Sequence, residues 1–278
     1  MARGRRRSVE PPRAAVTEPR RILILAPHPD DEVVACGIAA VRARRRGASV
    51  RVLYLTTGVP PREALWQRHQ RDYAERVRRR QAEAAAAAAL LGLEADCFPD
   101  IPARRLRHHL EAAAARVAAV AAAADTLWVT AYEGAHQDHD AANAVAARFR
   151  GRLPVWEFAA YNFAGGRVRA NRFPAARGGE MLIEPSAEEA ALKRQALGCY
   201  VSERGNLRHI GVGREICRPL PPHDYGAPPH PGRLFRERFH WVPFRHPRVD
   251  FDPSGDVYDC LERFAAEPAI PHASKAAQ

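Results

Sequence analysis

The 278-residue chain predicts an α/β fold: a mostly parallel central sheet between two helix layers, a Rossmann-like three-layer sandwich with its functional site at the carboxyl ends of the strands. Three observations predict it. Short apolar runs alternate five times with helix-patterned segments over the first 160 residues, the rhythm of βαβ units. The runs Ile22-Leu23-Ile24-Leu25 and Thr126-Leu127-Trp128-Val129-Thr130 read as short buried strands. Each of these two runs is followed by a cluster of imidazole and carboxylate groups, where an open parallel sheet places its ligands.

The elements follow in order. Residues 22–26 form the first strand, and a helix runs from about Glu32 to Arg46, ended by Gly47. Val50 to Thr56 is the second strand. An Arg/Glu/Ala-rich helix is expected from about Arg62 to Leu91, stopped by Gly92. Asp96 to Phe98 reads as a brief third strand, Leu106 to Ala124 as a helix, and 126–130 as the fourth strand. A helix from Asp140 to Arg150 ends at Gly151, and Pro154 to Ala159 is the fifth strand. Beyond 160 the pattern weakens: Glu180–Glu184 reads as a strand, and Ser186 caps a helix reaching about Gly198 with Glu188 and Glu189 in its first turn. Nine of the 23 prolines fall in residues 218–253, which predicts an irregular segment over the surface. The expected division is a disordered basic tail (1–20), a Rossmann-like domain (21–205) and a Pro-rich extension packed on the same domain (206–278).

Composition narrows the function. With 46% hydrophobic and 27% charged residues the chain reads as soluble and globular, and its length allows a sizeable core. The net charge of +11 is uneven: residues 1–21 hold seven arginines against two glutamates. That tail lacks an apolar stretch, so it does not read as a secretion signal, and no run is long enough for a membrane span. A basic tail can touch anionic lipid or nucleic acid, but a solvated arm explains it as well. The five cysteines include no CxxC pair, which argues against a zinc ribbon or disulfide framework and for a reducing cytoplasm. Gly211-Val212-Gly213 is not a dinucleotide fingerprint, and no P-loop is present. The oligomeric state leaves no trace in the sequence.

The two clusters carry the chemistry. Ala26-Pro27-His28-Pro29-Asp30-Asp31-Glu32 follows the first strand, and His136-Gln137-Asp138-His139 follows the fourth. Charged groups at the end of a buried strand are costly unless a metal or a reaction uses them. His28, Asp31 and His139 make a two-His, one-carboxylate set with open coordination, suited to Zn2+ and compatible with Fe2+. Asp30 would face the bound water as general base, and His136 would reach the same cavity. The competing readings are that Asp30 or Asp31 caps the following helix and that His136 and His139 are loop residues. His108-His109 reads as surface; His223, His230, His240 and His246 read as loop or packing residues.

The motifs resemble those of the PIG-L/LmbE-like family of zinc-dependent N-acetylglucosaminyl de-N-acetylases, close to A-H-P-D-D-E and H-x-D-H and in the same order. Weaker echoes are Thr56-Thr57-Gly58, Arg80-x-x-Glu83, Phe98-Pro99-Asp100 and Tyr200-Val201-Ser202. The resemblance implies that His28, Asp31 and His139 bind zinc and that Asp30 is the general base. It further implies that His136 stabilises the oxyanion or protonates the leaving amine, with Asp138 tuning it, and that Arg80 and Asp100 contact the sugar. Cys36-Gly37-Ile38 and Glu203 depart from the family's Gly-Gly and Gln. Tyr161 and Phe163, with Trp156, follow the fifth strand and could stack on a sugar face or belong to the core; Tyr225 and the Pro-rich segment could form a lid. The function implied is removal of acetyl from a small N-acetylamino-sugar conjugate in the cytoplasm, with no specific nucleic acid as partner. The alternatives are an amidase of the same mechanism acting on a larger acyl or thiol-conjugate amide, and a non-catalytic binder of nucleic acid or membrane through the tail.

Overall fold

The computed structural model describes residues 19–95, 99–242, 244, 246–247 and 249–270. A seven-stranded sheet forms its centre, in the order β3-β2-β1-β4-β5-β9-β8. Strands β1 (Arg21–Ala26), β2 (Ser49–Tyr54), β3 (Glu94–Ala95), β4 (Thr126–Thr130) and β5 (Val155–Phe158) are parallel. β6 (Tyr161–Asn162) and β7 (Arg169–Ala170) form a separate two-stranded ribbon. β8 (Met181–Ile183) and β9 (Glu215–Pro219) complete the sheet, both antiparallel to their neighbours.

The period-2 geometry of a strand explains why β1 is apolar at every position. Leu23 and Leu25 enter one core with α4 (Leu110–Ala121), α5 (Gln137–Ala147) and α7 (Ser254–Ala265). Ile22, Ile24 and Ala26 enter the other, with α1 (Asp31–Arg45), α3 (Tyr73–Leu91) and α6 (Ala187–Cys199). The three-layer sandwich expected from the sequence is thus the observed fold. β1 lies between β2 and β4, so the chain runs outward to opposite sides from β1 and β4. That is the topological switch point, and the two charged clusters follow these two strands.

Several elements depart from expectation. The helix expected over 62–91 is broken into a turn of 3-10 helix (Arg62–Ala64), the single-turn α2 (Gln67–Gln70) and α3. Leu65 and Trp66 between them are extended (ψ 156° and 142°), and the Trp66 ring packs edge-on against His246 at 5.4 Å, so a tertiary contact overrides local helix propensity. Gly92 ends α3 in the left-handed conformation (φ 68°). The expected third strand at 96–98 lies outside the described residues; β3 ends at Ala95. α5 starts at Gln137 rather than Asp140, because His136 caps it: its Nδ1 accepts the Asp138 N–H at 3.1 Å. Ser186 caps α6 through a capping box with Glu189.

Residues beyond 205 supply β9, which sits inside the sheet between β5 and β8, and the amphipathic α7. The Pro-rich stretch between them is mostly turns and bends. Among the described residues, no helix is long and apolar enough to cross a membrane. Residues 1–18 of the expected basic tail lie outside the described residues.

Candidate metal centre and active-site cavity

The turn after β1 brings His28, Asp30 and Asp31 to the mouth of the switch point, and the first turn of α5 brings His139 opposite. Neither aspartate caps α1: no side-chain cap hydrogen bond is made. Asp31 Oδ2 instead accepts the backbone N–H of His28 at 2.8 Å and lies 3.2 Å from His28 Nδ1, while Oδ1 lies 3.2 Å from His139 Nε2. One donor atom each from His28, Asp31 and His139 lies within 4.8 Å of the others.

His139 is 0% exposed, and neither of its ring nitrogens has a hydrogen-bond partner. Its Nε2 has only the Asp31 carboxylate within reach, at 3.2 Å, and a buried imidazole whose ring nitrogens make no hydrogen bond is costly unless something else takes a lone pair. A divalent ion fits that requirement: two imidazoles and a carboxylate are the donor types of an open catalytic zinc site. His28, Asp31 and His139 are therefore residues that could hold a metal here; His28, His136 and Asp138 form a second, overlapping set of donors. Although burial opposes it, the imidazoles of His139 and His28 hold the Asp31 carboxyl well below the usual carboxylate range.

Asp138 is fully buried and takes three donors: the backbone N–H of Arg104 (2.6 Å) and His28 Nε2 (3.0 Å) on Oδ2, and the Leu106 N–H (3.1 Å) on Oδ1. Burial acts against ionisation, but the neighbouring imidazoles and the backbone donor hold its pKa to about 2. The resemblance paired Asp138 with His136. The carboxylate here is nearer to His28, 3.0 Å against 3.6 Å to His136 Nδ1. That leaves Nδ1 of His28 turned toward Asp31 and fixes the ring from behind, as carboxylates do for metal-ligating histidines.

His136 stands edge-on to His28 with ring centroids 4.5 Å apart. Burial, and then the charge of His28, push its pKa well below the ordinary value, so the ring is neutral. Because Nδ1 accepts a backbone N–H, the proton of the neutral ring sits on Nε2, and His136 lines the cavity as a donor.

Asp30 holds a rare backbone conformation for a non-glycine residue (φ 152°, ψ −22°), strain of the kind that gathers at functional sites. Its Oδ2 accepts from Arg80 Nη2 at 3.1 Å. Burial above all, with the charges of Asp31 and Glu203, pushes Asp30 up to about 7, opposed by Arg80 and His28. Arg80 is itself buried, with Nη1 3.5 Å from Glu203. Gly58 makes this packing possible: at φ 70° a Cβ would stand 2.6 Å from Pro29 Cδ and 3.0 Å from Arg80 Nε.

The centre opens into a cavity of about 320 Å³. His28, Asp30, Asp31, His136, Arg80 and Tyr161 all line it, whereas Asp100 is exposed and outside its lining. Tyr161 packs edge-on to His139 at 5.4 Å, and Trp156 packs in the core with α1, α3 and α6. Tyr225 is buried elsewhere, donating to Asn143 Oδ1 at 2.7 Å. The far wall was not legible in the sequence: His209, Phe235, Arg236, Arg238, Phe239 and Asp250 come from segments without a motif. Gln137 ties that wall down, its Nε2 donating to Asp250 (2.7 Å) and Asp252 (2.9 Å). The weaker echoes hold the near wall. The Tyr200 hydroxyl donates to buried Glu32, the Ser202 N–H to Glu83 at 2.9 Å, and the Thr56 hydroxyl to the Pro27 carbonyl at 2.7 Å.

Fold and site together define a doubly wound α/β protein with a candidate metal centre at the switch point of its sheet. Residues 23–149, the stretch bearing both motifs, match the model of the PIG-L family, described as GlcNAc-PI de-N-acetylase. Solved structures share the fold. A deacetylase of teicoplanin biosynthesis is 21% identical, with a TM-score of 0.56, covering 72% of this chain and 97% of its own. The A40926 pseudoaglycone deacetylase Dbv21 is 22% identical, with a TM-score of 0.53 and coverages of 72% and 96%. GalB, a 4-carboxy-2-hydroxymuconate hydratase from Pseudomonas putida KT2440, is 18% identical, with a TM-score of 0.53 and coverages of 73% and 97%. No curated protein matches the chain.

Proposed function

We propose that this protein is a metal-dependent hydrolase that removes the acetyl group from an N-acetylamino sugar, an N-acetylglucosamine-type conjugate. The observation that carries the reading is the His28, Asp31 and His139 donor set, with an unsatisfied buried His139, beside Asp30 on one cavity. The match to a de-N-acetylase family model supports it.

Zinc held by His28, Asp31 and His139 would supply a Lewis acid that polarises the amide carbonyl and acidifies water; the same donors suit Fe2+. Asp30 takes the proton of the attacking water, and its raised pKa makes it a base matched to neutral pH. His136 Nε2–H donates to the oxygen that gathers charge as the carbonyl carbon becomes tetrahedral. The C–N bond then breaks, the nitrogen takes up a proton, and acetate and the free amine leave. Asp138 fixes His28, and Arg80 orients Asp30. Tyr161 lies where a sugar face would stack. Among the described residues Cys36, Cys199, Cys217 and Cys260 are all unpaired, in keeping with a cytoplasmic enzyme.

The test is acetate release from N-acetylglucosamine conjugates by the zinc-loaded and the iron-loaded protein, with longer N-acyl groups alongside. Release of acetate that His139→Ala and Asp30→Ala abolish supports the reading; unchanged activity in either variant overturns it.

A further inference from the structure

α1 is two short helices in line. At Cys36 the backbone leaves helical values (φ −142°, ψ 20°). The N–H groups of Ile38 and Ala39, which would otherwise bond the carbonyls four residues back, donate to Glu215 Oε1 (2.8 Å) and Oε2 (2.9 Å). The Val34 carbonyl released by the break accepts from Lys193 Nζ and from Asn171 Nδ2, both at 3.0 Å. Lys193 Nζ also donates to Glu215 Oε1 at 2.7 Å. Both members of this ion pair are essentially buried, 1% and 0% exposed.

The two N–H groups and the Val34 carbonyl freed at the break are thus taken by side chains from far along the chain: Asn171 beyond β7, Lys193 on α6 and Glu215 on β9. The half before the break, Asp31–Ala35, is the half that carries Asp31 and the cavity-lining Val34. Five residues are too few to keep a helix on their own, so the direction of this turn is set by what holds its ends. One end is the His28–Asp31 contact; the other is Val34 in the grip of Lys193 and Asn171.

We propose that Lys193 and Glu215, with Asn171, are positioning residues that set the break in α1 and so the orientation of Asp31 and the affinity of the centre for its metal. The inference rests on the metal reading of His28, Asp31 and His139. A pair serving stability alone is the competing account, and buried ion pairs are replaceable by apolar residues without loss of stability. Metal affinity separates the two.

The experiment measures Zn2+ affinity of the full chain by chelator competition, the visible spectrum of the Co2+-loaded protein, and the thermal midpoint. The variants are Lys193→Met, Glu215→Gln and Lys193→Met/Glu215→Leu, the last removing both charges at once in case a single change prevents folding. Arg42→Met is the control. It breaks the pair with Glu189 (2.7 Å) on the part of α1 beyond the break. The proposal expects zinc affinity to fall about tenfold or more in the Lys193 and Glu215 variants, the range in which supports behind a metal ligand act. It also expects an altered Co2+ spectrum in those variants, and a lower midpoint with unchanged affinity in Arg42→Met. Zinc affinity and Co2+ spectrum equal to those of the unmodified protein in the Lys193 and Glu215 variants would overturn the positioning role while leaving the metal reading intact. If the unmodified protein itself takes up no zinc, both fall.

Discussion

Asp138→Asn distinguishes a carboxylate that supports His28 from one that tunes His136. The carboxylate accepts on both oxygens, with two donors at Oδ2 and one at Oδ1. An asparagine of the same shape must turn its NH2 toward one of those donors. The less costly placement faces the Leu106 N–H, losing that bond, while the carbonyl oxygen keeps Arg104 and His28. One lost hydrogen bond with two donors opposed costs about 1–3 kcal/mol of stability. The remaining bond to His28 is no longer charge-assisted. Outer supports of this kind change metal affinity or activity by roughly 10–100-fold, about 1.4–2.7 kcal/mol at 1.36 kcal/mol per decade.

Zinc affinity by chelator competition, kcat at saturating zinc and the thermal midpoint together decide it. With Asp138 behind His28, Asp138→Asn weakens zinc by about 10–100-fold, and kcat largely recovers when the site is filled. Unchanged zinc affinity with a reduced kcat would refute the reasoning and return Asp138 to His136.

Asp30→Asn should keep zinc while lowering kcat by about 10²–10⁴-fold, the contribution of a positioned base; acetate release beside metal content checks it. His136→Asn removes the Nε2 donor but supplies a good cap for α5, so kcat should fall about 10²–10³-fold with thermal midpoint and metal content preserved. Gly58→Ala puts a Cβ into Pro29 and Arg80 at φ 70° and should destabilise by about 1–3 kcal/mol, read by denaturant unfolding. Glu189 is held at about 2, against an ordinary 4.5, chiefly by hydrogen bonds from Arg42, with burial opposing. Its folded-state pKa is the lower one, so its stabilisation is complete above about 4.5 and is lost as pH falls toward 2. Glu189→Gln should flatten the midpoint-versus-pH curve across that window.

The sheet and the candidate metal donors were legible because their causes are local. An apolar run ending in clustered carboxylates and imidazoles cannot be buried cheaply in any other place, and the βαβ rhythm fixes which strand ends meet. Ser186 with Glu189 signalled α6 for the same reason. What was not legible depended on distant partners. The start of α5 was hidden because an imidazole caps it, which no propensity rule anticipates. Trp66 breaks the expected 62–91 helix by meeting His246, 180 residues away in sequence. Arg80 was read as a sugar contact, yet its Nη2 is spent on Asp30, and only the folded chain places them together. β9 was lost among the prolines, although its Glu215 decides where α1 breaks.

The fold by itself does not choose the chemistry. GalB is named as a hydratase and the teicoplanin-pathway protein as a deacetylase, yet both share this sheet at similar TM-scores. Adding water to a carbon–carbon double bond and cleaving an amide can both use a metal-type centre and a base. In the amide cleavage proposed here, the carbonyl oxygen gathers charge as the carbon becomes tetrahedral, and His136 donates to it. That role depends on the tautomer of His136. Were its Nδ1 protonated, the ring would face the cavity as an acceptor and the oxygen that gathers charge would lack that donor. The Asp138 N–H prevents that by occupying Nδ1, and it does so because Asp138 stands in the first turn of α5. The helix that begins three residues earlier than its sequence pattern suggests is thus what fixes His136 as a donor toward the cavity.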